Sequence, residues 1–294
     1  KSLPRDAAVL QFAGVVAAQT GFPQKAADYL RKAIALGGDN VDNRINLAKV
    51  LADLGQWDEA LKLCQLPDGT TSIDLQRLEA ELLKAQGRAS EAVWAYERIV
   101  HEQPNNFDAW NNLGNARHET GDLDAAMDAF QRARQLDPNK AVVFTNLARV
   151  LMSKDRYEDA CMMLEKAVLL SPQDPAPLIE LGRTLTSMDQ PEAGLRALGD
   201  AARLDPKNPK VFVSIGQAFT DLSNQQQAER AFRFALQADR TNRVGYLNLG
   251  ILLEKANRTD ELATLVASAK QNGADGPEIR YLEALMLSRA GKAE

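Results

Sequence analysis

The chain has 294 residues, 45% hydrophobic, 26% charged and 6% aromatic, with 35 Lys and Arg against 40 Asp and Glu for a net charge of −5. That acidic balance argues against nucleic acid as the main partner, because gripping a phosphate backbone needs a basic face. No run of roughly 18 apolar residues is present to insert in a membrane, and two cysteines with two histidines are too few for a disulfide framework or a metal centre.

Read in chain order, the sequence repeats itself. Leu10, Gly14, Gly21, Ala26, Leu30 and Ala33 mark a first unit, 7–40. Leu47, Ala48, Gly55, Ala60 and Cys64 mark a second, 41–72. This unit is two residues short and ends in the turn-rich run Gln65-Leu66-Pro67-Asp68-Gly69-Thr70-Thr71-Ser72, so its second helix is expected to stop early and to bend the stack. The third unit, 73–106, carries Gln76, Ala80, Gly87, Ala92, Tyr96 and Pro104. The fourth, 107–140, carries Trp110, Leu113, Gly114, Gly121, Ala126, Phe130 and Pro138. The pattern returns 34 residues on in 141–174, with Phe144, Leu147, Ala148, Asp155, Ala160, Leu164 and Pro172. It returns again in 175–208, where Gly194 and Gly199 fall inside the second helix and read either as a soft point or as close packing. Units 209–242 and 243–276 follow, anchored on Phe212, Gly216 and Phe232 and on Tyr246, Gly250 and Leu262, and a partial ninth starts at 277.

Within each unit apolar residues recur at i, i+3, i+4 and i+7, so each is predicted to hold two amphipathic helices. Gly or Ala at the eighth position lets the paired helix approach closely, and Ala at the twentieth fills the facing gap. Gly21, Gly55, Gly87, Gly121 and Gly291 stand where the first helix ends and a left-handed residue is needed, with Asp155, Asp189 and Asn257 at the same place in other units. Pro104, Pro138, Pro172 and Pro206 close the second helices. The fold class is therefore all-α, a single domain over 1–294 of eight full helix pairs plus a partial ninth. Cys64 and Cys161 lie three units apart, too far for a disulfide, and read as packing residues.

A large residue, Leu-Gly, a turn Gly, Ala, an aromatic, Ala and a closing Pro resemble the tetratricopeptide (TPR) repeat family over nearly the whole chain. The resemblance implies a right-handed superhelical solenoid whose first helices line a concave groove that binds a protein or peptide. In that register the second, fifth, sixth, ninth, twelfth and thirteenth positions of the units face the groove, and the sixth and ninth are the most informative. They place there Asn46, Asn112, Asn146 and Asn248, and Lys49, Asn115, Arg149, Arg183 and Gln217, with Asn111 at a fifth position. An amide carries both donors and acceptors, so the asparagines could pair with a peptide backbone whatever its side chains. This is similar to the asparagine ladder of the O-linked N-acetylglucosamine transferase family. The ladder is broken at Leu78, Glu180 and Ser214, which favours the stretch from Asn112 to Arg183. The same amides could equally bond a neighbouring helix. Arg149 and Arg183 could hold a carboxylate, or be neutralised by Glu180 and Glu119.

No phosphate-binding loop, nucleophile elbow, metalloprotease helix or Cys-x-x-Cys pair occurs, so no catalytic residue, metal or cofactor is expected. The phrases at 42–48, 109–117 and 246–254 resemble the repeat region of bacterial TPR-sulfotransferase proteins. That resemblance implies the alternative function of a substrate-recognition region for a larger transferase. Tyr281, Leu282, Leu285, Met286 and Leu287 of the last helix are expected to lie bare, and the chain stops at Glu294 where a second helix should begin. The expectation is a piece of a longer protein. A cytoplasmic location is expected, with a periplasmic one as the alternative.

Overall fold

A computed structural model describes residues 6–67 and 69–289; the expected turn at Gly291, the C-terminal end of the last helix and Asp68 of the turn-rich run lie outside them. The described residues form seventeen α-helices and no strand. The pairs are α1 (Ala7–Gln19) with α2 (Pro23–Ala33), α3 (Val41–Asp53) with α4 (Trp57–Leu63), and α5 (Ile73–Ala85) with α6 (Ala89–Glu102). Next come α7 (Phe107–Glu119) with α8 (Leu123–Leu136), α9 (Ala141–Met152) with α10 (Tyr157–Leu170), and α11 (Pro175–Ser187) with α12 (Pro191–Leu204). Last are α13 (Pro209–Asp221) with α14 (Gln225–Ala238), α15 (Arg243–Lys255) with α16 (Thr259–Gln271), and α17 (Pro277–Arg289). Every first helix begins on the first residue of its expected unit. Asn40, Asn106, Asn208 and Asn242 precede four of them and accept a hydrogen bond from the first turn, which fixes the start.

The turns follow the chemistry read from the sequence. Gly21, Gly55, Gly87 and Gly121 have positive φ, and Asp155, Asp189, Ser223 and Asn257 take the same left-handed conformation. At the first of these non-glycine turns the Arg156 amide donates to Leu151 O at 2.9 Å, satisfying a carbonyl that the helix end leaves open.

The packing groups the chain into two compact units, one ending at Pro138 and one beginning at Asn139. In the first, each helix packs on its neighbour in sequence, and α1, α3 and α5 also touch in succession. Its core is Leu30, Leu47, Leu51 and Ala60, continued by Ala92, Tyr96, Ile99 and Leu113. In the second, the first helices α9, α11, α13, α15 and α17 touch in succession. Its core includes Leu178, Leu198 and Val211, then Phe232, Leu249, Leu253 and Leu262.

The short second repeat has a specific anchor. Helix α4 spans 7 residues where α6 and α8 span 14. Arg44, only 7% exposed, reaches its end and donates to the carbonyls of Leu63 at 3.3 Å and Gln65 at 2.8 Å. Its other nitrogens form a two-point ion pair with Asp39 at 2.6 and 2.8 Å. The Arg44 guanidinium holds the Asp39 carboxyl below its ordinary range.

The two glycines of α12 behave differently. A Cβ on Gly194 would lie 2.5 Å from Thr186 Oγ1 and 2.6 Å from Gly182 O, so Gly194 marks a close crossing of α11 and α12. Gly199 has nothing within 4 Å of its Cβ position. The last helix is also better covered than expected. Ile279 and Leu282 are fully buried against α15 and α16, and Leu285 and Met286 pack on the same core, leaving Tyr281 and Leu287 exposed. Cys64 is buried and Cys161 half-buried, and both are free thiols.

Candidate functional site

Every residue expected in the groove sits on a first helix. Asn46 and Lys49 lie on α3, and Asn111, Asn112 and Asn115 on α7, all in the first compact unit. Asn146 and Arg149 lie on α9, Arg183 on α11, Gln217 on α13 and Asn248 on α15, all in the second. The stretch from Asn112 to Arg183 therefore belongs partly to each unit. Lys49 is exposed, and Asn46, Asn111, Asn112 and Asn115 are half-buried.

In the second unit these residues differ in how open they are. Asn146 is 7% exposed, and its Oδ1 accepts from Arg149 Nη1 at 3.4 Å. Asn248 Nδ2 donates to Val244 O at 2.8 Å, one turn back in its own helix. Each of these two amides thus makes at least one bond within its own helix. Arg183 pairs with Glu180 at 3.0 Å, three residues earlier, as one reading of the sequence anticipated. Glu119 does not follow that reading: it pairs with Lys84 of α5 at 3.0 Å.

Two of the expected residues meet. Arg183 and Gln217 line one hollow of about 320 Å³, together with Glu180, Lys210, Val213, Ser214 and Val244. Three adjacent first helices, α11, α13 and α15, supply these walls. Lys210 and Gln217 are exposed, and Val244 shows 46% of its surface to solvent, so the hollow offers a cation, an amide and an apolar wall side by side. Lys210 and Val244 each hold the second position of their unit, which the repeat register turns inward. Sequence reading passed over them because that position varies in character from unit to unit. The hollow suits a short extended segment with an acceptor group and a small apolar side chain.

No group of three or more His, Cys, Asp or Glu residues able to hold a metal ion occurs among the described residues, and no described helix is long and apolar enough to cross a membrane. The paired acids Asp58-Glu59 and Glu158-Asp159 fall in the first turns of α4 and α10, where they complement the helix dipole.

Residues 77–244 match the family model described as the cilia and flagella-associated protein 70 C-terminal domain, and residues 17–82 match a tetratricopeptide repeat model. No curated protein matches the sequence. A tetratricopeptide repeat protein from Parabacteroides merdae superposes with a TM-score of 0.72 at 15% identity, covering 84% of this chain and 98% of that one. Yeast Tom70 superposes with a TM-score of 0.67 at 17% identity over 91% of this chain and 61% of its own. The APC/C hetero-tetramer Cut9-Hcn1 gives a TM-score of 0.59 at 17% identity, covering 92% of this chain and 54% of that one. At such identities the likeness is one of fold.

Proposed function

We propose that this chain, which belongs to the tetratricopeptide-repeat family through the cilia and flagella-associated protein 70 C-terminal domain matched over 77–244, is a non-catalytic module that holds a peptide or protein partner on its first helices. Folds of this type generally serve protein interaction, and the shape of the second unit supports that use. The observation that carries the reading is the hollow that brings Arg183, Lys210, Gln217 and Val244 together from three successive first helices. Exposed polar groups beside an apolar wall give a peptide both hydrogen bonds and a pocket. Asn146 and Asn248 each spend one hydrogen bond within their own helix, so the hollow and not the asparagine spacing carries the reading.

The test is a peptide-array screen of the chain, followed by affinity measurements on the best binder. Lys210→Ala with Gln217→Ala is expected to weaken binding about tenfold or more while the melting temperature stays put, because both side chains are exposed. Unchanged affinity would remove the hollow from the account. A second reading, that the module recognises substrates for a larger transferase such as a sulfotransferase, is supported by the phrases at 42–48, 109–117 and 246–254. The coding sequence that follows Glu294 distinguishes it.

A further inference from the structure

The twenty-second position of each unit lies on a second helix and is exposed throughout: Asp28, Lys62, Asp128, Met162, Arg196, Arg230 and Thr264 occupy it. All but Met162 are polar. The third unit places Trp94 there, 72% exposed. An indole so open to water is a large apolar surface with one hydrogen-bond donor, the side chain most often found to anchor a partner.

Trp94 stands at a cleft of about 720 Å³ between α5 and α6. Leu83 and Ala95 lie at its buried base, Glu79 lines it from α5, and Glu91, Glu97, Arg98, His101 and Glu102 line it from α6. Three of these acids already have an arginine: Glu79 pairs with Arg98, Glu91 with Arg88 at 2.6 Å, and Glu97 with Arg117 at 2.8 Å. The exposed Glu91–Arg88 pair is worth only ~0–1 kcal/mol, so an arriving cation can exchange with it at little cost, whereas Glu79 and Arg117 are largely covered and keep their partners. Glu102 differs. Its carboxylate is held by the amide of Gln76, which is 5% exposed and donates from Nε2 at 2.9 Å. No arginine or lysine pairs with Glu102 among the described residues, and Gln76 Oε1 is buried there without a hydrogen-bond partner.

We propose that this cleft is a second docking surface, separate from the first-helix hollow, and that it takes an arginine-bearing basic peptide segment. One arginine stacks its guanidinium plane on the Trp94 indole, and a second donates to Glu102, eight residues or about 12 Å further along α6. The Glu102 carboxylate, which no arginine or lysine balances among the described residues, disfavours an acidic segment at the same place. A lysine fits less well, because its compact ammonium has no planar face to stack on the indole.

The experiment titrates the full chain with a hexapeptide of alternating arginine and glycine, and with its glutamate counterpart, by calorimetry and by tryptophan fluorescence. The arginine peptide is expected to bind at one site, with an affinity that falls as salt rises, and the glutamate peptide to give no signal. Trp94→Ala and Glu102→Gln should each weaken binding about tenfold. Lys210→Ala, in the other unit, should leave it unchanged, which separates this surface from the first-helix hollow. Thermal melting of Trp94→Ala should match the parent, since the indole is exposed. Absence of binding by the arginine peptide would overturn the proposal, as would equal binding by the glutamate peptide or parent-like affinity in Trp94→Ala.

Discussion

Arg44 shows how one side chain can rescue an irregular repeat. It replaces the missing half of a helix with two hydrogen bonds to the carbonyls of Leu63 and Gln65, and Asp39 balances its charge. Arg44→Ala leaves those acceptors without their donor and is expected to cost about 2–3 kcal/mol, read as a lower urea midpoint. Because Asp39 is held below its ordinary value of 3.8, the pair's contribution is complete above that pH and is lost as pH falls through the lower folded value. The glycines of α12 make a sharper contrast. Gly194→Ala drives a methyl into Thr186 and Gly182 and should destabilise by about 1–3 kcal/mol. Gly199→Ala meets open space and should stabilise by about 0.5–1 kcal/mol through helix propensity. Melting curves of the two variants check both signs, and shifts in the same direction would contradict the packing described.

At the scale of elements, the segment from α4 to α6 carries a built-in response to alkali. Burial pushes the Cys64 thiol from 9.0 up to about 12, and burial with the Glu81 and Glu119 charges pushes the Tyr96 phenol from 10.0 up to about 12. Between pH 9 and 12 the folded state keeps protons that the unfolded chain releases, so stability is intact below pH 9 and falls as pH rises through that window. Melting temperature should drop from pH 9 to 12 in the parent chain and less steeply in a Cys64→Ala, Tyr96→Phe double variant; parallel slopes would contradict this assignment. The helices themselves were legible in the sequence because their punctuation is dictated by geometry. Gly114 must be small since a Cβ there would meet Phe130 Cε1 at 2.6 Å, and such a constraint leaves its mark at every repeat. The early end of α4 was legible for the same reason, from its turn residues. Its anchor was not, because an arginine at the fourth position of a unit looks like any solvent-facing charge until Asp39, Leu63 and Gln65 are brought to it.

For the whole molecule, repeat register is a strong signal of fold and a weak one of function. It placed every candidate on a first helix, yet it could not tell an open side chain from a committed one. Asn112 and Asn146 share a register position, but Asn146 is buried against Arg149 while Asn112 is half-buried. Lys210 and Val244 hold an inward register position, but only the shape of the hollow singles them out. Asn146→Ala is accordingly expected to lower stability by about 1 kcal/mol, a loss that a calorimetric melt resolves, and to change peptide affinity little. The resemblance to sulfotransferase-associated repeats rests on phrases that are largely packing residues, which report helix approach more than partner chemistry.

Hydrogen exchange of the chain with and without its best array-selected peptide tests the central claim most directly. The account predicts slowed exchange along α11, α13 and α15, where Arg183, Gln217 and Val244 line one hollow. Protection confined to the second helices α12, α14 and α16, with the first helices unchanged, would contradict it.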